Sequence, residues 1–320
     1  MQKYFIRRAL FAVVTLFGVS ISIFLIMRVL PGDPLVAILG VEGHARMTPA
    51  DREKIMADLG LSAPLPVQYV HWLRDIATGR LGKSFFRGET VAEQIMHRGP
   101  ISAEIAILSL IVSWLVGLPV GILSAFRPNG IPDAVARALS VLFIAIPGFW
   151  LGMLIVLASL FWFGYKTPMV IVHLWQDPWQ NLQIVIGPGI VLGLAQGAYI
   201  ARMSRSCLLE VIGEDFVRTA RAKGLSERRV LLVHALRNAL LPFITLFGLA
   251  LPFLLTGAVL VETVFAWPGM GRLAVTAIFV RDYPVVTAAA VVASTMVVLG
   301  SFVADVLYAA ADPRIRVRGE

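Results

Sequence analysis

Ala77-Thr78-Gly79-Arg80-Leu81-Gly82-Lys83-Ser84 comes close to the spacing of a phosphate-binding loop, whose glycine-rich turn offers backbone N–H groups to a nucleotide while its lysine reaches the phosphates. The surroundings exclude that chemistry. Alanine replaces the first glycine, and the flanking His71-Trp72-Leu73-Arg74-Asp75 and Phe85-Phe86-Arg87-Gly88 supply neither a buried strand before the turn nor a helix after it. The five histidines, His44, His71, His97, His173 and His234, include no His-Glu-x-x-His pair, so a membrane zinc protease has no ligand set and no metal site is assigned. Gly224-Leu225-Ser226-Glu227-Arg228 lacks the second glycine of a nucleophile elbow. Cys207 is the single cysteine and cannot pair within the chain. No catalytic constellation survives, and the chain is read as no enzyme by itself, with no cofactor of its own.

Ionisable side chains beside apolar runs are the other candidates, because a charge near a membrane interior is costly unless paired. Arg28, Glu104, Glu262 and Asp305 each sit at the edge of such a run. Glu262 ranks first, since it opens Glu262-Thr263-Val264-Phe265-Ala266-Trp267-Pro268-Gly269-Met270-Gly271-Arg272, which is apolar but broken by Pro and Gly. Irregular backbone of that kind is tolerated at membrane depth only where protein or a water-filled cavity surrounds it. Glu262, Trp267, Pro268 and Gly269 are therefore assigned to an outer gate, against the competing reading of Trp267 as a plain interfacial anchor. Pro119 in Gly117-Leu118-Pro119-Val120-Gly121 and Pro147 in Ala145-Ile146-Pro147-Gly148 are read as kinks or close helix contacts along the path that such a gate would close.

The apolar runs themselves set the class. Hydrophobic residues make up 58% of 320 positions and mean hydropathy is +0.80, above the roughly 45–50% of a soluble chain. Six uncharged windows, 9–27, 105–126, 138–165, 178–201, 238–261 and 283–304, match the about 20 residues that a hydrocarbon core requires. The expected fold is an all-α integral membrane protein with six transmembrane helices. Residues 59–73 are shorter and carry Pro64 and Pro66, which places them outside the membrane. Lys3, Arg7, Arg8, Arg127, Arg137, eight basic residues within 202–237 and Arg314, Arg316 and Arg318 fall on one side, against Lys166, Arg272 and Arg281 in the short loops of the other. The positive-inside rule then puts both termini in the cytoplasm. The net charge of +8 follows from the same asymmetry beside anionic lipid headgroups and calls for no nucleic acid. The first run is too long for a signal-peptide core and lacks a cleavage site, so it is retained as a helix.

Four segments follow: a first transmembrane helix at 1–30, an extracytoplasmic region at 31–100, a core at 101–310 with five transmembrane helices, and a cytoplasmic tail at 311–320. In the second, Thr48 caps and Pro49 opens a short helix that ends at Gly60, and another covers 67–76. Within the core, 206–237 is a coupling loop with its own design. Glu214 and Asp215 stand at the start of a helix and Arg218, Arg221 and Lys223 toward its end, matching the helix dipole. Gly224 supplies a left-handed C-cap and Ser226 the N-cap of a second helix, which leads to Asn238-Ala239-Leu240-Leu241-Pro242.

That helix-turn-helix resembles the EAA loop of bacterial ABC-importer permeases, in the form found in the dipeptide/oligopeptide/nickel permease family. Other blocks are similar to that family too: Met27-Arg28-Val29-Leu30-Pro31-Gly32-Asp33-Pro34, Leu59-Gly60-Leu61, 79–84, 261–269, Arg281-Asp282-Tyr283-Pro284-Val285 and Asp312-Pro313-Arg314-Ile315-Arg316. The Pro-Gly-Asp-Pro block resembles the first of the two permease subunits. Two positions depart from the general motif: Arg218-Thr219-Ala220 replaces Glu-Ala-Ala, and Arg237 stands where many permeases carry proline. The resemblance implies a type I importer domain in a bacterial or archaeal cytoplasmic membrane, moving di- or oligopeptides, or else nickel, glutathione, opines or oligosaccharides. It implies a second homologous permease, an extracytoplasmic binding protein and two cytoplasmic ATPase subunits that use ATP and Mg. It assigns Glu214, Asp215, Arg218, Thr219, Ala220, Lys223, Gly224, Ser226, His234 and Arg237 to ATPase coupling. A secondary transporter or channel would show an internal repeat or an ion-coordinating broken helix, and neither is visible.

Overall fold

A charge-free run becomes one helix only while nothing interrupts its backbone hydrogen bonds, and the runs here differ in that respect. The computed structural model describes residues 2–29, 47–58, 62–166, 168, 170–239, 243, 259–263 and 265–311. The Pro31-Gly32-Asp33-Pro34 and Leu59-Gly60-Leu61 blocks, most of the expected 238–261 span with Pro242, and the 312–320 tail lie outside the described residues. The elements are α1 (Gln2–Val29), α2 (Pro49–Asp58), α3 (Leu65–Ala77), α4 (Val91–Phe126), α5 (Ile131–Ala145), α6 (Gly148–Phe163), α7 (Pro178–Ile212), α8 (Asp215–Ala222), α9 (Glu227–Arg229), α10 (Met270–Val280) and α11 (Tyr283–Ala311). The π-helical turn Val230–Ala235 continues α9. Among the described residues α1, α4, α7 and α11 are long and apolar enough to cross a membrane, and the bent pair of α5 and α6 makes a fifth span if it crosses as one.

Local chemistry sets the ends. Thr90 Oγ1 accepts from Glu93 N at 3.2 Å while Glu93 Oε2 accepts from Thr90 N at 3.1 Å, a capping box that starts α4. Asp177 Oδ1 accepts from Trp179 N and Gln180 N to start α7, with Pro178 at its first position. Thr48 caps α2 through Asp51 N, as its sequence predicts.

Window 138–165 is not the single helix its composition predicts. The chain leaves α5 at Ile146, whose backbone is extended (φ −72°, ψ 122°), and re-enters helix after Pro147, with the two axes at 98°. Proline lacks a donor and pushes the residue before it out of the helical region, so two consecutive positions fail together. Pro119, by contrast, sits inside the continuous α4. Around it α4 packs against α7 along most of its length, and that contact organises the fold. A Cβ built on Gly117 would lie 2.4 Å from the Gly197 carbonyl oxygen, and one on Gly121 2.6 Å from that of Ala201. Leu108 fills the space at Gly189 and Val112 that at Gly193. Positions rise together along both helices, so α4 and α7 run parallel, and the α5–α6 pair must return the chain across the bundle. Small residues allow such backbone approach, the usual basis of helix association where lipid removes the hydrophobic drive.

Gly117→Ala should therefore force α4 and α7 apart and cost about 1–3 kcal/mol. A lowered thermal unfolding midpoint of the purified protein is the expected reading; an unchanged midpoint would refute this contact.

Candidate functional site

Two irregular segments mark the ends of the α4–α7 pair. The first is the 206–237 module. α7 ends at Ile212, Gly213 and Glu214 turn the chain, and α8 begins at Asp215. Val217 and Ala220, three residues apart on one face of α8, are buried with Val230 and Ala235 against Ala125 of α4 and Leu208 of α7. The opposite face, with Asp215, Phe216, Arg218, Thr219 and Lys223, is exposed. Arg218 pairs with Asp215 at 3.3 Å and the Thr219 hydroxyl donates to the Asp215 carbonyl at 2.9 Å, both within α8.

Gly224 holds the left-handed conformation predicted for it (φ +74°), with open space where a Cβ would stand. Its requirement for glycine is thus a matter of backbone strain rather than crowding. Ser226 does occupy the N-cap position, but its side chain makes no cap bond, correcting the expected role. The link across the turn is instead a forked ion pair: Arg221 Nη2 and Nε donate to Glu227 Oε1 and Oε2 at 2.7 and 3.2 Å. The guanidinium holds the Glu227 carboxyl below the usual carboxylate range, and the pairing raises Arg221 in turn. A carboxyl lowered in the folded state keeps its bridge at neutral pH and loses it as pH falls below that range. Ala220 is an anchor rather than a contact surface, His234 is half-buried on the π-helical turn with its carbonyl accepting from Asn238 Nδ2 at 2.7 Å, and Arg237 is exposed.

A second buried tie stands behind the module. Asp133, fully buried at the start of α5, accepts from Arg205 Nε and Nη2 of α7 at 2.7 and 2.9 Å, from Ser124 Oγ of α4 at 2.5 Å and from Asn129 N at 2.8 Å. It joins three helices near the end from which the module departs.

At the other end lies the 262–272 turn. Glu262 is 1% exposed, and its carboxylate accepts from Ser102 Oγ at 2.6 Å and Arg272 N at 3.1 Å, with the Gly271 N–H as a further donor. Gly271 and Arg272 lie in the first turn of α10, so Glu262 supplies from a distance the acceptor that Gly269 at the N-cap cannot. Ser102 Oγ accepts in turn from Met270 N at 2.8 Å. A Cβ on Gly269 would fall 2.2 Å from Glu262 Cδ, so glycine there makes room for the carboxylate. Arg272 Nη1 donates to the Ala266 carbonyl, holding the turn closed. Trp267 is 3% exposed and stacks on Phe265 with ring centroids 5.1 Å apart, inside a core with Ile101, Ile105 and Ile184. Burial removes the reading of Trp267 as an interfacial anchor. Pro268 is half-buried beside it. The other edge charges are paired as well: Glu104 with Asn181 at 2.6 Å, Asp305 with Arg8 at 3.1 Å and Arg28 with Gln68 at 3.0 Å.

The turn and the module stand apart. From Ser102 to Ala125 of α4 is about 35 Å of helix, close to the thickness of a hydrocarbon core. The turn is brought beside the helix that Pro147 opens: a Cβ on Gly148 would lie 3.9 Å from Val261 and one on Gly152 2.5 Å from the Phe265 ring. Sequence reasoning missed Arg221–Glu227, Asp133–Arg205 and Ser102. The first had a local signal, opposite charges six residues apart across a glycine turn; the others join residues 72 and 160 positions apart in the chain, which no local pattern reveals.

These features define a helical membrane domain with a short amphipathic helix-turn-helix at one end and a buried, tied turn at the other. The family described as "Binding-protein-dependent transport system inner membrane component" matches residues 117–317, and its N-terminal counterpart matches residues 1–106. The chain belongs to this family of transport-system membrane components. It is 40% identical to the oligopeptide transport system permease protein AppB of Bacillus subtilis, across 98% of this chain and 99% of that one. Identity to the dipeptide transport system permease protein DppB of Escherichia coli K12 is 37%, across 99% of both. The glutathione transport system permease protein GsiC of Escherichia coli O6:H1 is 39% identical, across 99% of this chain and 100% of that one. In fold it is similar to a chain of the MetNI methionine ABC transporter, solved in inward facing conformations, with TM-score 0.56 and 20% identity over 68% of this chain and 96% of that one.

Glu262→Ala strands the Ser102 hydroxyl and two N–H groups of α10 in a buried site. Each stranded polar group costs about 1–3 kcal/mol, so thermal unfolding of the purified protein should shift downward more for Glu262→Ala than for Glu262→Gln, which keeps one acceptor. Equal shifts would show that the tie does not hold the turn.

Proposed function

We propose that the chain is the transmembrane permease subunit of an ATP-driven, type I importer that moves di- and oligopeptides across a bacterial or archaeal cytoplasmic membrane. The observation that carries this reading is the helix–Gly224–helix module, whose inner face is buried on the ends of α4 and α7 while its outer face stays free for a partner. Family membership and the names of the oligopeptide and dipeptide relatives supply the substrate class. The glutathione relative favours one alternative, since glutathione is itself a modified tripeptide.

In this reading a second, homologous permease completes the pore, an extracytoplasmic binding protein delivers substrate, and two cytoplasmic ATPase subunits grip Glu214, Asp215, Arg218, Thr219, Lys223, Ser226 and Arg237. ATP and Mg act in those subunits. Closure of the ATPases displaces the module as a rigid body, and the Arg221–Glu227 fork keeps its two helices from hinging at Gly224. Motion passes into α7 through Leu208 and, by way of Arg205 and Asp133, into α5. At the far end it reaches Glu262, Trp267, Pro268 and Gly269, assigned to the outer gate, with the Pro119 and Pro147 regions along the path. Six spans with both termini cytoplasmic complete the topology, and the 206–237 module is its cytoplasmic loop.

Uptake of labelled dipeptide by cells dependent on this permease tests the coupling. Gly224→Val should reduce uptake severely while the permease still reaches the membrane, since a β-branched residue with positive φ costs at least about 1–2 kcal/mol. Gly224→Asn, which tolerates that conformation, should retain most uptake. Wild-type uptake by the Val variant would end the coupling assignment. Glu262→Ala also reads the gate: loss of a latch raises ATP hydrolysis without substrate, whereas unchanged basal hydrolysis makes the turn purely structural.

Topology is read separately. Single cysteines at Ala50 and Gln176, both exposed, should react with an impermeant thiol reagent in intact cells, and native Cys207 should not. Protection of both engineered sites would overturn the orientation.

A further inference from the structure

A cavity of about 660 Å³ lies between the end of α1, α3, the 80–85 loop and the start of α11. It shares no residue with the module or the 262–272 turn, and none of its walls belongs to α7, the most buried of the spans. Three cations, Arg28, Arg80 and Lys83, face it against one carboxylate, Asp75. Arg80 is 3.6 Å from Asp75, and Arg28 donates to Gln68 while its guanidinium lies 4.9 Å over the Phe24 ring. The remaining wall is mostly apolar, including Phe24, Ile76 and Phe85.

Depth is what gives this arrangement meaning. The uncharged run of α1 ends at Arg28, and that of α11 begins at Tyr283. Both helix ends line the cavity, so the cations stand at headgroup level, while Phe24 and Thr287, one turn further along each helix, stand about 6 Å deeper. The chain is anchored there by design: Asp282, 3% exposed, accepts from Ser84 Oγ at 2.5 Å and Phe85 N at 3.3 Å, fastening the Arg80–Ser84 loop to α11. The glycine-and-lysine motif that mimics a nucleotide loop is thus a cationic rim over an apolar cleft.

We infer that this cavity binds an anionic phospholipid, its phosphate among Arg28, Arg80 and Lys83 and an acyl chain in the α1–α11 seam. The ligand must carry a negative head on an apolar body, which the mixed lining requires and free phosphate lacks. Access is from the membrane, since α1 is the least buried span. The bound lipid ties the N-terminal region to the last helix. The inference rests on α1 and α11 spanning the membrane and is independent of the transported substrate.

The test uses the full chain, solubilised with the subunits that copurify, and titrates phosphatidylglycerol, phosphatidylcholine and inorganic phosphate, read by native mass spectrometry and thermal unfolding. Phosphatidylglycerol should bind most tightly and raise the unfolding midpoint. Arg28→Gln and Lys83→Gln should each weaken it by roughly fivefold, the contribution of one cation at a lipid surface. Asp75→Asn should strengthen binding, the opposite of what damage to the fold would do. Equal binding of phosphatidylcholine, displacement of the lipid by phosphate, indifference to all three substitutions, or binding by the isolated chain but not the complex would each overturn the proposal.

Discussion

Backbone contact between α4 and α7 at Gly117 and Gly197 is the constraint on which the remaining structure depends. In lipid, two apolar helices gain little by merely being apolar, so association rests on how closely their surfaces meet. With no Cβ on either side, the two backbones touch, and Leu108 and Val112 then fill the spaces at Gly189 and Gly193. The pair becomes a rod whose two ends carry the two irregular segments. Ala125 and Leu208 receive the module at one end, and Ser102 receives Glu262 at the other.

Two buried carboxylates fasten the less regular parts to this rod, by different chemistry. Asp133 meets the Arg205 guanidinium with two parallel hydrogen bonds, with Arg137 3.6 Å away as a second cation, and loss of Arg205 would remove both bonds from a fully buried carboxylate. Glu262 meets a hydroxyl and backbone N–H groups at the start of α10, where the helix dipole favours an anion. The first arrangement locks α4, α5 and α7 together. The second holds a turn through a few neutral donors, a weaker restraint.

Membership in the family of transport-system membrane components accounts for this division of labour. Its buried polar side chains join helices: Asp133 ties α4, α5 and α7, and Glu262 ties α4 to the start of α10. The loop at 79–84 shows how a motif can mislead when read without its surroundings. Its glycines serve turns with positive φ at Gly79 and Gly82, and its serine serves Asp282.

The uncharged runs, the helices of the module and the left-handed Gly224 were legible from sequence because each depends on neighbours within a turn or two. Hydropathy, N-terminal acids, C-terminal bases and a glycine between two helices are local signals, and α1, α4, α7, α8 and α11 follow them. The outcome at the two prolines was not legible. Pro119 and Pro147 carry the same covalent restriction, yet α4 continues through the first because α7 supports it on both sides, while Ile146 turns extended at the second and the axes part by 98°. Nor could composition tell whether Trp267 faces lipid or core, since burial depends on what Phe265, Ile101 and Ile184 leave open around it. Ser102 with Glu262, and Asp133 with Arg205, meet only after the chain has crossed the bundle. Sequence determined where α1, α4, α7, α8 and α11 form; tertiary packing alone decided which helices touch, because the contacts that choose between alternatives join residues far apart in the chain.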